Sequence, residues 1–140
     1  YNTARSVGLS RWAIEQSVAY AMQRQAFGKP ISEYQGVAFP LAESATDIHA
    51  AHLLGCNAAM LLDSGHRAIK ELSMAKSFAV QAGLRTIERA MQTHGAMGFT
   101  NELGFVEAYH TIRAINVADG TNEILARTIF QRLLGGDLDL

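Results

Sequence analysis

The chain has 140 residues, 49% of them hydrophobic, which is enough for one packed domain and excludes a disordered chain. Lysine plus arginine number 12 against 13 aspartate plus glutamate, a net charge of −1 that leaves no electrostatic footprint for nucleic acid or an anionic membrane. The single cysteine, Cys56, excludes an internal disulfide and a four-cysteine zinc site and suits a reducing compartment. No apolar run approaches the roughly 20 residues that span a bilayer. The chain opens on Tyr1 in mid-helix, with no signal-peptide pattern, and reads as a piece of something longer.

Only two prolines, no useful alternating pattern and abundant alanine, leucine, glutamine and glutamate point to helix throughout. The first helix is expected from Asn2 to Gln25, with Val7, Trp12, Ile14, Val18, Ala21 and Met22 on one side, ending at Phe27-Gly28-Lys29-Pro30. Ser32 is a candidate N-cap for a second helix reaching Ser64. Its stripe of Leu41, Ala45, Ile48, His52, Gly55, Ala59 and Leu62 follows bundle spacing, and Pro40 predicts a kink or staggered start. His52 reads as a core or interface histidine and Cys56 as a core thiol. The third helix, Ala68 to His94, carries a small inner face of Ala75, Ala79, Ala82, Gly83, Thr86 and Ala90. A glycine-containing loop covers Gly95 to Asn101. Short helices follow at Leu103–Ile115 and Thr121–Leu134, before Gly135-Gly136 and an acidic tail. The expected architecture is all-α: one antiparallel four-helix bundle over residues 1–140 with an additional short helix.

Three segments break helical rules, and local rules tend to fail at functional sites. In Arg24-Gln25-Ala26-Phe27-Gly28-Lys29-Pro30, with Gln35 following, Arg24 reads as a helix C-cap or as a fork for phosphate. Phe27 offers a flat face to an adenine or flavin ring. In Gln92-Thr93-His94-Gly95-Ala96-Met97-Gly98-Phe99 the glycines read as a C-cap or as room for a cofactor against the backbone. In Asp119-Gly120-Thr121-Asn122-Glu123, Asp119 and Thr121 read as N-caps, or Asp119 as a carboxylate able to abstract a proton.

Taken in this order and spacing, the three segments resemble the C-terminal helical domain of the acyl-CoA dehydrogenases, over essentially the whole chain. Arg-x-x-Phe-Gly-Lys with a later Gln falls on Arg24, Phe27, Gly28, Lys29 and Gln35. Gln-x-x-Gly-Gly-x-Gly-Phe falls on Gln92, Gly95, Ala96, Gly98 and Phe99. Glu-Gly-Thr-x-Glu-Ile falls on Asp119, Gly120, Thr121, Glu123 and Ile124, and Arg132-Leu133-Leu134-Gly135 resembles the family's last helix. The resemblance implies an FAD-linked enzyme that removes hydrogens from the α and β carbons of an acyl-CoA thioester. An electron-transferring flavoprotein would reoxidise the flavin, and the protein would be a homo-oligomer, a dimer or tetramer.

It further implies that Asp119 is the base and Gly120 lies beside the thioester. Arg24, Phe27, Gln35, Gln92, Gly95 and Ala96 would touch FAD, mostly that of the neighbouring subunit. Thr121 and Glu123 would line the same subunit's flavin. The sequence departs from the family pattern in using aspartate where glutamate is usual, roughly 1.5 Å shorter in reach, when about 1 Å of misplacement costs on the order of a hundredfold in rate. Ala96 stands for a glycine, Ala118 for an aromatic residue, and Ala126 where arginine is common. The family's N-terminal helical and middle β domains are not in this sequence. Other readings are an acyl-CoA oxidase or nitroalkane oxidase, a non-catalytic oligomerisation module, and a di-iron bundle. Only Glu107 and His110 supply the Glu-x-x-His that the last would need twice; no metal ligands are assigned.

Overall fold

A computed structural model describes residues 1–140. Three long helices, α1 (Asn2–Gln23), α2 (Gln35–Asp63) and α3 (Ile69–His94), are followed by the shorter α4 (Phe105–Ile115) and α5 (Asn122–Leu134). The all-α expectation holds, with helix ends within three residues of those expected. Arg85 pairs with Asp47 and Arg89 with Glu43, so α2 runs antiparallel to α3. Tyr20 stacks on His94 with ring centroids 4.4 Å apart, so the C-terminal ends of α1 and α3 lie together. His94 also meets Phe105, and Gln81 donates a hydrogen bond to Asn116, so α4 returns antiparallel to α3.

The core lies on α3, which touches all four other helices. Every residue of its expected small face, Ala75, Ala79, Ala82, Gly83, Thr86 and Ala90, is buried. One apolar cluster joins α1, α3 and α4 through Ala13, Val80, Ile87, Ala90, Phe105, Ala108, Ile112 and Ile115. A smaller one joins α1, α2 and α3 through Val7, Ile48, Ala51 and Ala79.

The faces of α1 and α2 differ from the expected ones. On α1 the buried residues are Ser6, Val7, Ser10, Ala13, Ser17 and Ala21, whereas Val18 and Met22 are exposed. The hydroxyls of Ser10 and Ser17 donate to the carbonyls of Ser6 and Ala13, so burying them leaves no open donor. On α2 the buried set is Leu41, Ser44, Ile48, Ala51 and Ala58; Ala45, His52, Ala59 and Leu62 face outward. His52 is therefore not a core histidine, and Cys56, exposed with its sulfur 3.6 Å from the His52 ring, is not a core thiol. On α1 the face turned to the core is mostly serine and alanine, whereas on α2 Leu41 and Ile48 are buried beside Ser44, Ala51 and Ala58.

Ser32 does not cap α2. It sits in a 3-10 turn, Ile31–Glu33, and Tyr34 takes the cap position without a side-chain bond. Pro40 lies in the sixth position of an unbroken α2, and its carbonyl accepts from the Arg89 guanidinium at 3.2 Å. The break after α1 is more ordered than expected. β1 (Gln25–Ala26) and β2 (Lys29–Pro30) form an antiparallel hairpin whose two turn residues, Phe27 and Gly28, have φ of 51° and 86°. Two consecutive positive φ values are the geometry that matches hairpin twist. The expected loop after α3 holds a 3-10 turn, Gly95–Phe99, entered through Gly95 at φ 60°.

Gly98 has a different reason to be glycine. A Cβ there would stand 2.3 Å from the Met91 carbonyl oxygen, so the turn lies directly on the α3 backbone. Gly98→Ala should cost about 1–3 kcal/mol, read as a lower urea midpoint. An unchanged midpoint would show that the turn does not depend on that approach.

The acidic tail is anchored. The fully buried Lys70 ammonium bonds the Asp137 carboxylate at 2.6 Å, the carbonyls of Asp137 and Asp139, and Glu71 at 3.4 Å. The Asp137 bond raises the Lys70 pKa above its ordinary value, and Lys70 lowers that of Asp137. The clamp's contribution is thus complete between the ordinary carboxylate and lysine ranges. Acid removes it as pH falls through the lowered Asp137 pKa, and alkali as pH rises through the raised Lys70 pKa. Lys70→Met should lower amide protection, relative to the intrinsic rate at the same pH, across residues 136–140 at neutral pH. Equal exchange in both proteins at neutral pH would count against the clamp.

Candidate functional site

The residues singled out in the sequence gather at two opposite ends of the bundle. Lys76 and His94, both on α3, mark those ends. They are 18 positions apart, about 27 Å at 1.5 Å per residue.

One end holds the hairpin, the start of α2 and the turn after α3. The Ile31 amide donates to the Arg24 carbonyl at 2.8 Å, and the Tyr34 hydroxyl donates to the Ala26 carbonyl at 2.9 Å, which ties the hairpin to the start of α2. Arg24, Phe27 and Gln35 are thereby brought together, and the Tyr20–His94 stack sets them at the same end as Gln92, Gly95 and Ala96. All six are exposed. Arg24 enters none of the ion pairs. Phe27 is 98% exposed, its ring edge-on to Tyr34 at 6.4 Å. Beside Gln92 lies an open hollow of about 300 Å³ lined by Glu88, Met91, Phe99 and Tyr109. An unpaired guanidinium, a bare aromatic face and exposed amides suit a phosphate-bearing aromatic ligand.

The other end holds the loop between α4 and α5. Asp119 and Gly120 both have positive φ, 53° and 96°. Aspartate tolerates this region better than most residues, and glycine readily. Asn2, at the start of α1, donates to the Asp119 carboxylate at 2.9 Å. No backbone carbonyl accepts from the N–H groups of Asp119, Gly120 or Thr121. Thr121 is the N-cap residue of α5 by position but makes no capping side-chain bond. Its hydroxyl instead holds the Glu123 carboxyl below the ordinary range, helped by Glu123's own amide and by Arg113. Asp119 does not cap α5 either, so its carboxylate is left to other partners.

Lys76 also belongs here and was not anticipated. It leaves α3 largely buried and donates to the carbonyls of Ala118 and, at 2.7 Å, Gly120. Its signal in the sequence was a lysine on the small inner face of α3, four and seven residues before Val80 and Gly83. Glu107 and His110 are both exposed, so the one Glu-x-x-His does not point into the bundle as a di-iron site requires.

Residues 1–134 match the family model described as acyl-CoA dehydrogenase, C-terminal domain. Among curated relatives, the 3-(aryl)acrylate reductase of Clostridium sporogenes is 37% identical over 131 residues, which cover 94% of this chain and 35% of that protein. The caffeyl-CoA reductase-Etf complex subunit CarC of Acetobacterium woodii is 35% identical over the same shares. The chain thus spans about a third of these relatives. A solved structure, the FAD complex of PigA, superposes with a TM-score of 0.90 at 27% identity, covering 94% of this chain and 34% of that one.

Phe27 is a large side chain held at φ 51° with almost no buried surface, a strain typical of positions kept for function. Phe27→Asn should therefore raise the stability of the protein, by about 1 kcal/mol in a thermal melt. A loss of stability would mean that the ring contributes packing to the fold.

Proposed function

The chain belongs to the acyl-CoA dehydrogenase C-terminal domain family, and on that premise we propose that it is the C-terminal bundle of an FAD-dependent acyl-CoA dehydrogenase. The parent protein would convert an acyl-CoA thioester to the 2,3-enoyl-CoA. Electron-transferring flavoprotein is the proposed acceptor, in keeping with the Etf complex named for one relative.

The observation that carries this reading is the Asp119 carboxylate, exposed on a positive-φ loop and held at 2.9 Å by Asn2 alone among side chains. It is free to take the α proton of a thioester lying along Gly120. The charge that then develops on the thioester oxygen needs fixed donors, and the unengaged amides of Asp119, Gly120 and Thr121 can provide them. In the reverse direction the same carboxylate returns the proton, as suits relatives named as reductases.

The exposed Arg24, Phe27, Gln35, Gln92, Gly95 and Ala96 would hold FAD, with Arg24 on a phosphate and Phe27 against a ring. Thr121 and Glu123 would approach FAD at the other end. The cofactor supplies the hydride acceptor when bound. Because about 27 Å of α3 separates the two groups, one copy is read as serving two flavins: its own near Asp119 and a neighbour's near Phe27. This supports a homo-oligomer, dimer or tetramer. It also means that the isolated bundle would act at most as an oligomerisation module.

Asp119→Asn in the full-length protein keeps the side-chain shape and suits the positive φ. Flavin should be retained while its bleaching by acyl-CoA is lost. Bleaching near the native rate would place the base elsewhere.

A further inference from the structure

We propose that Lys76 is a positioning residue for Asp119: its buried ammonium holds the carbonyls on both sides of Asp119 and so fixes where the carboxylate stands. The inference rests on reading Asp119 as the base.

Asp119 lies in an exposed loop between two short helices and adopts, with Gly120, a backbone conformation that must be held from outside. The Ala118 carbonyl belongs to the peptide plane before Asp119, and the Gly120 carbonyl to the plane after Gly120. With both carbonyls converging on one ammonium, the dihedrals between them have little freedom. The direction of the Asp119 Cα–Cβ bond is then set. The anchor is firm because Lys76 leaves the central helix of the bundle and is only 8% exposed.

The ammonium has three donors, and the two carbonyls use two of them. It forms no ion pair with the Asp119 carboxylate, whose one side-chain partner is Asn2 on α1. Lys76 therefore controls placement without occupying the proton-accepting oxygens. Burial lowers the Lys76 pKa, and the nearby Asp119 charge opposes that shift.

The test uses the full-length flavoprotein with Lys76→Met, Lys76→Gln, Lys70→Met and Asp119→Asn. In Lys76→Met, flavin reduction at saturating acyl-CoA should fall about a hundredfold, the loss expected from about 1 Å of misplacement, with KM little changed. In the flavin-free protein, backbone order parameters should fall at residues 118–121 and not elsewhere. Lys76→Gln, which keeps N–H donors on a shorter, uncharged side chain, should fall between, and Lys70→Met should match native. The positioning role is overturned if Lys76→Met reduces flavin at the native rate while Asp119→Asn is inactive, or if only KM rises. Failure of both Lys76 variants to fold, with Lys70→Met folded, would make Lys76 a stability element and overturn the role equally. Native-rate reduction by Asp119→Asn would instead remove the base reading, and the inference with it.

Discussion

The bundle depends on how closely other helices can approach α3. A Cβ built on Gly83 would meet Ile112 Cδ1 at 3.0 Å and the Ser10 hydroxyl at 3.2 Å, so α1 and α4 press on the same point from two sides. Dispersion falls off steeply with separation, and each partner helix gains from the missing side chains. The alanines at 75, 79, 82 and 90 extend that approach along the helix. The partner helices meet this face differently: serines line the inner face of α1, α4 fills the space with Ile112, and α2 mixes Leu41 and Ile48 with Ser44, Ala51 and Ala58.

Close packing around α3 also makes it a rigid spacer between the two proposed functional ends. At one end the Tyr20–His94–Phe105 stack carries the turn that begins at Gly95, and Gly98 lies against the Met91 carbonyl. At the other, Lys76 reaches from the same helix to the loop that holds Asp119. The group proposed to bind flavin and the carboxylate proposed to move a proton thus both depend on one helix, although both lie in irregular segments. A helix decides where these loops stand.

Three non-glycine residues take positive φ: Ala68 is buried at the start of α3, whereas Phe27 and Asp119 lie in the two proposed functional segments, each with an exposed side chain. Backbone strain of this kind persists only where neighbouring contacts over-determine it. Tyr34 bonding the hairpin carbonyls and Lys76 bonding those around Asp119 are such contacts. The buried lysines on α3 divide the labour. Lys70 secures the tail and Lys76 the loop, each by meeting several oxygens at once, which compensates for taking an ammonium out of water.

The sequence alone was enough to specify the helices, their approximate ends, the small face of α3 and the three segments that break helical rules. These are local properties: periodicity, the absence of alternating strands, and glycine or proline at the breaks. It placed Val7, Ala21, Leu41 and Ile48 inside as observed, but put Val18, Met22, Ala45, Ala59 and Leu62 there too, where the packed faces of α1 and α2 instead hold Ser6, Ser10, Ser17, Ser44, Ala51 and Ala58. Periodicity puts His52 on the packing stripe, and Cys56 reads as a core thiol for want of an activating base nearby in the sequence; both are exposed. Only the tertiary structure decided that Phe27 and Gly28 turn a hairpin, that Gly98 is dictated by a carbonyl seven residues earlier, and that Lys76 meets Ala118 and Gly120 some forty residues later. It also decided that the candidate residues divide between two ends of one helix. A sequence motif records which residues are neighbours along the chain. Distance in space, and hence which residues act together, is set by how the helices pack.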